Sequence, residues 1–450
     1  MSTIRGITAA LGLLAFGPVH ALDLAEAYRL ALATDPSYQA AAARAAADEE
    51  GIGIARAKLL PRLGASGALR KMWTKREVSG RSLPAYQTNS WNWGVNLTQP
   101  LYRPSEWAAY QQAKDLARSS RMRLTDERDN LLARLAQAYL QVLDVSAQLN
   151  VARTDLRRHQ AVLRQAKAAF ANGDGTRTDV EEAQARLDEA EAQVIHWQGR
   201  LEIAQQRLSL LIGQSVRAAE LVDLADRHSV ARTVLARQAS AWVEEALQVN
   251  AGLKALRAEV EAARRRVQQA WGGHKPTLDF VAGYRQSSSD SEITLNQTFK
   301  TGTVGLQASL PIFSGGGTAA AIRQAQAQLQ EAQFRLDARS LEIRQMVLDA
   351  YTRVRAGESE VKARRQALSS ARQALTATRK GVLAGTRNTV DVLDAEQRVS
   401  EAEARYAEAV YQLLQAVVEL LVAVSKPPEE AIRFVTGVEA PVSASATRDG

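Results

Sequence analysis

Asp391 and Asp394 stand three residues apart, just past the turn Gly385-Thr386-Arg387. That spacing sets both carboxylates on one face of a helix, within its first turn. Acids at a helix start are favoured by the macrodipole, so capping is the simplest chemistry that they offer. Asp179 takes the matching position in an earlier stretch, with Glu182 at the place of Asp394. Other reactive constellations are missing. There is no Gly-x-Ser-x-Gly nucleophile elbow. His159, His196, His228 and His274 include no pair at metal-ligand spacing. The segment Ser314-Gly315-Gly316-Gly317-Thr318 lacks the Gly-Lys-Ser/Thr ending of a phosphate loop and reads as a flexible turn. With no cysteine there is no disulfide, no thiolate chemistry and no lipidated N-terminal cysteine. The reading is a non-enzyme that uses no cofactor and no metal.

The acids must be positioned by the elements around them, and those elements occur twice. Leu60-Pro61-Arg62-Leu63 is matched by Lys275-Pro276-Thr277-Leu278, Gln99-Pro100-Leu101 by Leu310-Pro311-Ile312, and Gly175-Thr176-Arg177 by Gly385-Thr386-Arg387. The offsets from Pro61 to Pro276, Pro100 to Pro311 and Gly175 to Gly385 are 215, 211 and 210 residues. Such constancy marks an internal repeat. The expected organisation is a signal peptide over 1–21, a first repeat over 22–213, a connecting segment over 214–240, a second repeat over 241–425 and a mobile tail over 426–450.

Within each copy the hydrophobic period alternates between helix and strand. Ser105 to Asn172 is a run of 68 residues without Gly or Pro, which as a helix would extend roughly 100 Å. Leu135, Val142, Leu149, Leu156 and Leu163 keep heptad time. So do Val180, Ala183, Leu187, Ala190, Val194, Trp197 and Leu201, and in the second copy Ala395, Val399, Ala402, Tyr406, Ala409 and Leu413. Sustained sevens predict helices that supercoil on one another. Four shorter segments switch to period two: Leu63 to Leu69, Trp91 to Leu97, Leu278 to Tyr284, and Val304 to Leu310. Each of these seven-residue cores lies in a run of about ten residues, the length of a tilted membrane-crossing strand. Trp73, Trp91, Trp93 and Tyr284 sit near the loop ends, where an aromatic girdle meets lipid headgroups. Half-buried soluble strands alternate too, but two hairpins cannot close a barrel and an open edge is not tolerated in lipid, so if these strands cross a membrane several copies must share one barrel.

Arg5, the apolar run Ile7 to Phe16 and Val19-His20-Ala21 have the layout of a secretion signal cut after Ala21. No later stretch reaches the roughly 18 consecutive apolar residues of a spanning helix. The formal charge is +8, or +7 without Arg5, and it is laced through helices among Asp and Glu. That is a solvated helix surface, and in an exported chain it argues against nucleic acid.

The doubled layout, the Gln99-Pro100-Leu101 and Pro311-Ile312-Phe313-Ser314-Gly315-Gly316 junctions, and Gly385-Thr386-Arg387 followed by Asp391-Val392-Leu393-Asp394-Ala395 resemble the TolC family of outer-membrane efflux and secretion channels. The resemblance covers nearly the whole mature chain. It implies a mainly α fold with a small β part: a homotrimer whose twelve strands form a barrel in the outer membrane, continued by a twelve-helix coiled-coil tunnel across the periplasm. It implies docking of a periplasmic adaptor and an inner-membrane ABC or proton-driven transporter, in protein secretion or drug efflux. The tips Gly173, Gly175, Thr176, Arg177, Gly385 and Thr386 would receive the adaptor. Asp391 and Asp394 would ring the narrowest point of the pore, and Arg387 with Asp179 would be the gate ion pair. Val382 stands where the family's lock has a tyrosine. The rival reading is a periplasmic coiled-coil adaptor or scaffold without a pore, which leaves the four alternating segments unexplained.

Overall fold

The computed structural model describes residues 22–75, 77–82, 84–224, 230–289, 297–384, 386–387 and 389–437. The expected signal peptide, Gly385 and most of the expected tail lie outside these residues. In chain order the elements are α1 (Leu24–Thr34), α2 (Pro36–Ala57), β1 (Arg62–Thr74), β2 (Glu77–Val78), β3 (Arg81–Ser82), β4 (Tyr86–Tyr102), α3 (Pro104–Ala171), α4 (Arg177–Ile212), α5 (Val230–Leu235), α6 (Ala239–Val249) and α7 (Ala251–Gly272). They continue with β5 (Thr277–Ser289), β6 (Gln297–Ser309), α8 (Gly317–Leu383), α9 (Thr389–Ala423) and α10 (Pro428–Thr436). The chain divides into two compact units, each drawing segments from both sequence copies.

One unit comprises residues 40–127 and 247–343. Its antiparallel sheet has the order β1-β4-β5-β6, so the hairpin of each copy lies beside that of the other. The ladders run further than the apolar alternation does, with 13, 17, 13 and 13 residues per strand. Backbone pairing needs no apolar side chain, so polar residues continue it toward the loops. Pro100 sits inside β4, where the register slips between Pro100 and Tyr102, an irregularity that accommodates the missing N–H. Just beyond it Arg103 donates from Nε and Nη2 to Asp279 on β5, at 2.9 and 2.5 Å. This forked pair ties the end of one hairpin to the start of the other. Ser105 Oγ donates to the Gln269 carbonyl at 3.1 Å. Ser119 Oγ and Ser120 Oγ donate to Glu259 and Asp48 at 2.8 and 2.6 Å, joining α3 to α7 and to α2.

The other unit comprises residues 22–39, 128–246 and 344 onward. The heptad positions close its core. Leu131, Leu135, Val142 and Val145 of α3 are buried, as are Ala183, Leu187, Ala190 and Val194 of α4. Leu149, Ala152 and Val194 form one cluster, against which Leu156, Trp197 and Leu201 pack. On α9, Ala395, Val399, Ala409, Leu413, Ala416 and Leu420 are buried, whereas Ala402 and Tyr406 are only partly so. Val390–Ala423 is long and apolar enough to cross a membrane by composition, yet 67% of its most apolar window is buried in the protein. Its apolarity is accounted for by packing. The connecting segment also has a place here. Leu22 bridges to Leu221, and the buried Tyr139 hydroxyl lies 2.9 Å from both the Leu22 and the Val222 carbonyls. Burial pushes the Tyr139 phenol well above its ordinary pKa.

Gly213 ends α4 in the left-handed region at φ 73°. A Cβ there would lie 2.4 Å from Thr34 Cγ2 of α1, which itself donates from Oγ1 to the Ile212 carbonyl. Gly213→Ala therefore meets both backbone strain and a clash, and should destabilise by more than about 1 kcal/mol. A lower denaturation midpoint in urea checks this; an unchanged midpoint would contradict the packing described.

Candidate functional site

Two local structures carry the candidate residues: the helix tips and the faces of the sheet. At the first tip, α3 ends with Asn172, Gly173 and Asp174 folding back by backbone bonds to Ala168, Phe170 and Ala169. Gly173 has φ 82° and Gly175 passes close over Ala169 and Phe170. Thr176 then caps α4. Its hydroxyl accepts from the Asp179 N–H at 3.2 Å, and its own N–H and Oγ1 donate to Asp179 Oδ2 at 2.8 and 2.7 Å. This reciprocal box is what a Thr-x-x-acid spacing produces. The Thr176 hydrogen bonds hold the Asp179 carboxyl below its ordinary pKa. Arg177 is turned outward, 3.6 Å from Glu181.

At the second tip, Thr386 donates from its N–H and Oγ1 to the Gly381 carbonyl at 2.9 and 3.1 Å. A Cβ on Gly381 would lie 2.7 Å from Arg387 Cγ, so the chain doubles back tightly because no side chain stands there. Arg387 Nη1 then reaches Asp391 Oδ1 at 3.7 Å, one helical turn on. Arg387 and Asp179 are thus not joined within one chain. Each is occupied by a neighbour in sequence, since an i,i+4 partner and a capping threonine are the cheapest contacts available. The first turn of α9 nevertheless adjoins the other tip: Val390, Asp179, Glu182 and Arg186 line one small cleft of about 320 Å³.

Asp394 has a partner that no local spacing announces. Arg158 of α3 donates from Nη1 to Asp394 Oδ1 at 2.9 Å, across 236 residues of sequence. Arg158 is itself gripped by Asp155 Oδ1, at 3.1 Å from Nε and 3.0 Å from Nη2, and its Nη2 lies 2.9 Å from His159 Nε2. Burial, then the Arg158 charge, lowers the His159 pKa, which keeps the ring neutral at neutral pH. Its sequence signal is faint: an Asp-x-x-Arg-His cluster beside the Leu156 seam position. Among the described residues no group of His, Asp and Glu is placed to hold a metal.

The sheet has two unlike faces. Cross-strand partners share a face, so the register can be read in rows. One row is Leu63, Leu97, Ala282 and Val304; the next toward the loops is Ala65, Val95, Tyr284 and Gly302; then come Gly67, Trp93, Gln286 and Lys300. The four period-two sets fall on this face as far as the strands run, Leu310 lying one residue past β6, and so do Trp73, Trp91, Trp93 and Tyr284. The Trp93 and Tyr284 rings lie 5.6 Å apart. Leu63, Leu69, Val304 and Leu306 are 73%, 86%, 75% and 67% exposed. The opposite face is mainly Gly, Ser, Thr, Asn and Arg, with Met72, Val281 and Phe299 as its larger apolar members. A large exposed apolar face on a folded chain marks a surface that meets lipid or protein. β1 and β6, the outer strands, each have one edge without a partner strand among the described residues of the chain.

The sequence profile of the outer membrane efflux protein family matches residues 27–214 and 242–425. The proteases secretion protein PrtF of Dickeya chrysanthemi is 33% identical over 325 residues, 71% of this chain and 70% of PrtF. The alkaline protease secretion protein AprF of Pseudomonas aeruginosa is 33% identical over 336 residues, 74% of this chain and 70% of AprF. Among solved structures, the outer membrane protein VceC of Vibrio cholerae superposes with a TM-score of 0.71 at 19% identity, covering 89% of this chain and 96% of VceC. With its doubled strand-and-helix layout, its long coiled helices and its four-stranded sheet, this chain belongs to the outer membrane efflux protein family, the TolC-type channels of the outer membrane.

Proposed function

We propose that three copies of this chain share one twelve-stranded barrel and form the exit duct of a tripartite export system. The observation that carries this is the split sheet: one face apolar and exposed, the other polar, and both edges open. Joining β1 of one copy to β6 of the next satisfies every edge at once. The apolar face then meets lipid with its aromatic residues at headgroup level, and the polar face lines a water-filled lumen. The two stretches matched by the family profile support two structural repeats, 22–213 and 241–425, joined by 214–240.

The helix tips are the gate in this reading. Asp391 and Asp394 from three copies make two stacked rings of acids, which attract cations. Arg387 and Asp179, not joined within a chain, pair between neighbouring copies. The turns at Gly173, Gly175, Thr176 and Arg177, and at Gly385 and Thr386, receive the helical hairpin of a periplasmic adaptor. An inner-membrane ABC transporter supplies the cargo. The identity to two protease secretion proteins supports a protein cargo, ahead of the drug-efflux alternative. The chain itself acts as a passive conduit and catalyses nothing.

Val304→Arg places a charge on the lipid face and should cost about 2–4 kcal/mol if it lies near the bilayer midplane, whereas Thr303→Arg on the lumen face should be tolerated. Yield of heat-modifiable trimer in outer-membrane fractions checks this, and equal yields would contradict the assignment of faces. In planar bilayers, divalent cations should block the wild-type channel, and Asp391→Ala with Asp394→Ala should relieve the block. An unchanged block in the double variant would defeat the ring assignment.

A further inference from the structure

We propose that Arg158 latches the two helical hairpins of a single protomer together through Asp394, with Asp155 and His159 as the residues that aim it. This rests on the reading of the tips as a gate and assigns to this chain a lock of its own. The geometry separates two kinds of ion pair at the tips. Arg387–Asp391 joins residues one helical turn apart and can restrain only the start of α9. Arg158–Asp394 joins α3 to α9, and nothing in the local chain would keep these groups together if the helices parted.

Three features suit Arg158 to that task. Its side chain is only 19% exposed, against 41% for Asp394, so the guanidinium end of the pair is shielded from salt while the carboxylate end is partly open to it. Its Nε and Nη2 are committed to Asp155, which leaves Nη1 pointing at Asp394. His159, neutral, offers the Nε2 lone pair to Nη2, which puts the ring proton on Nδ1. A guanidinium fork held at two corners loses little freedom in making the third contact. The pair also has an electrostatic consequence. While it is latched, Arg158 offsets the charge of Asp394, so Asp391 contributes more of the ring's attraction for cations. Release of the latch frees both the helix and the second acid. Opening and cation affinity are therefore coupled through one side chain.

The test uses the full-length trimer in planar bilayers. Arg158→Ala should raise closed-state conductance about fivefold, the population shift expected for loss of a half-shielded ion pair. The same variant should be blocked at lower divalent concentration, because Asp394 has lost its counter-charge; a merely structural role for Arg158 would not produce that shift. Asp155→Asn, which keeps Arg158 but removes its anchor, should give a smaller rise. The natural chain has no cysteine, so Arg158→Cys with Asp394→Cys can be joined by a bis-methanethiosulfonate, which forms a reducible disulfide to each thiol with loss of methanesulfinate. The joined channel should stay shut until reduced. A leaky joined channel, or unchanged conductance in Arg158→Ala while Asp391→Ala/Asp394→Ala still relieves the block, would overturn the latch and leave the gate reading standing. If neither the latch variants nor the double-acid variant alters conductance or block, the gate reading falls and the latch falls with it.

Discussion

A hydrogen-bonded sheet edge cannot face hydrocarbon, and the rest of this protein can be understood from that constraint. Inside a bilayer no water is available for an unpaired N–H or carbonyl, and each such group costs several kcal/mol. The four strands β1-β4-β5-β6 have an apolar face suited to lipid and two edges that are not. In the proposed trimer the neighbouring copies supply that closure, and a lumen of fixed size follows from it. The irregularity at Pro100 and the Arg103–Asp279 fork then fix where each strand stops and helix begins.

The helices extend the same logic into water. A 68-residue helix such as α3 has no globular core large enough to cover it, so it is stabilised by a seam repeated every seven residues. Small residues on that seam, Ala183, Ala190, Ala395 and Ala409 among them, let the partners approach closely. Charged residues keep the outer faces solvated. Toward the turns the seam continues, with Leu163, Ala183 and Leu187 buried together, and specific polar contacts join it: the Thr176–Asp179 box, the tight return at Gly381, and the Arg158–Asp394 bridge.

Periodic features were legible in the sequence because the period is the physics. Alternation at Leu63 to Leu69 and Val304 to Leu310 gave the strand faces, and the register places the four sets on one side of the sheet as far as the strands run. Heptads gave the buried seams. What failed to show was pairing that depends on three-dimensional proximity. Arg158 and Asp394 are 236 residues apart, and neither side of that contact carries a pattern. The choice of Asp391 as Arg387's intrachain partner was open to inspection as an i,i+4 pair, but it competes with every other acid near the tip. Strand ends were also underestimated, since Gln286 to Ser289 and Gln297 to Thr301 continue the ladder without apolar residues. Val390–Ala423 shows the reverse case, a stretch apolar enough to span a membrane that is spent on the core of its own unit.

The most direct test of a shared barrel with a lipid face and a water face is single-cysteine labelling along β6. Cysteines placed one at a time from Thr303 to Gln307 would be treated with a water-soluble maleimide in intact outer membranes. Labelling at Thr303, Gly305 and Gln307, with protection at Val304 and Leu306, is the result the account predicts. Uniform labelling along the strand, or protection in the opposite phase, would contradict it.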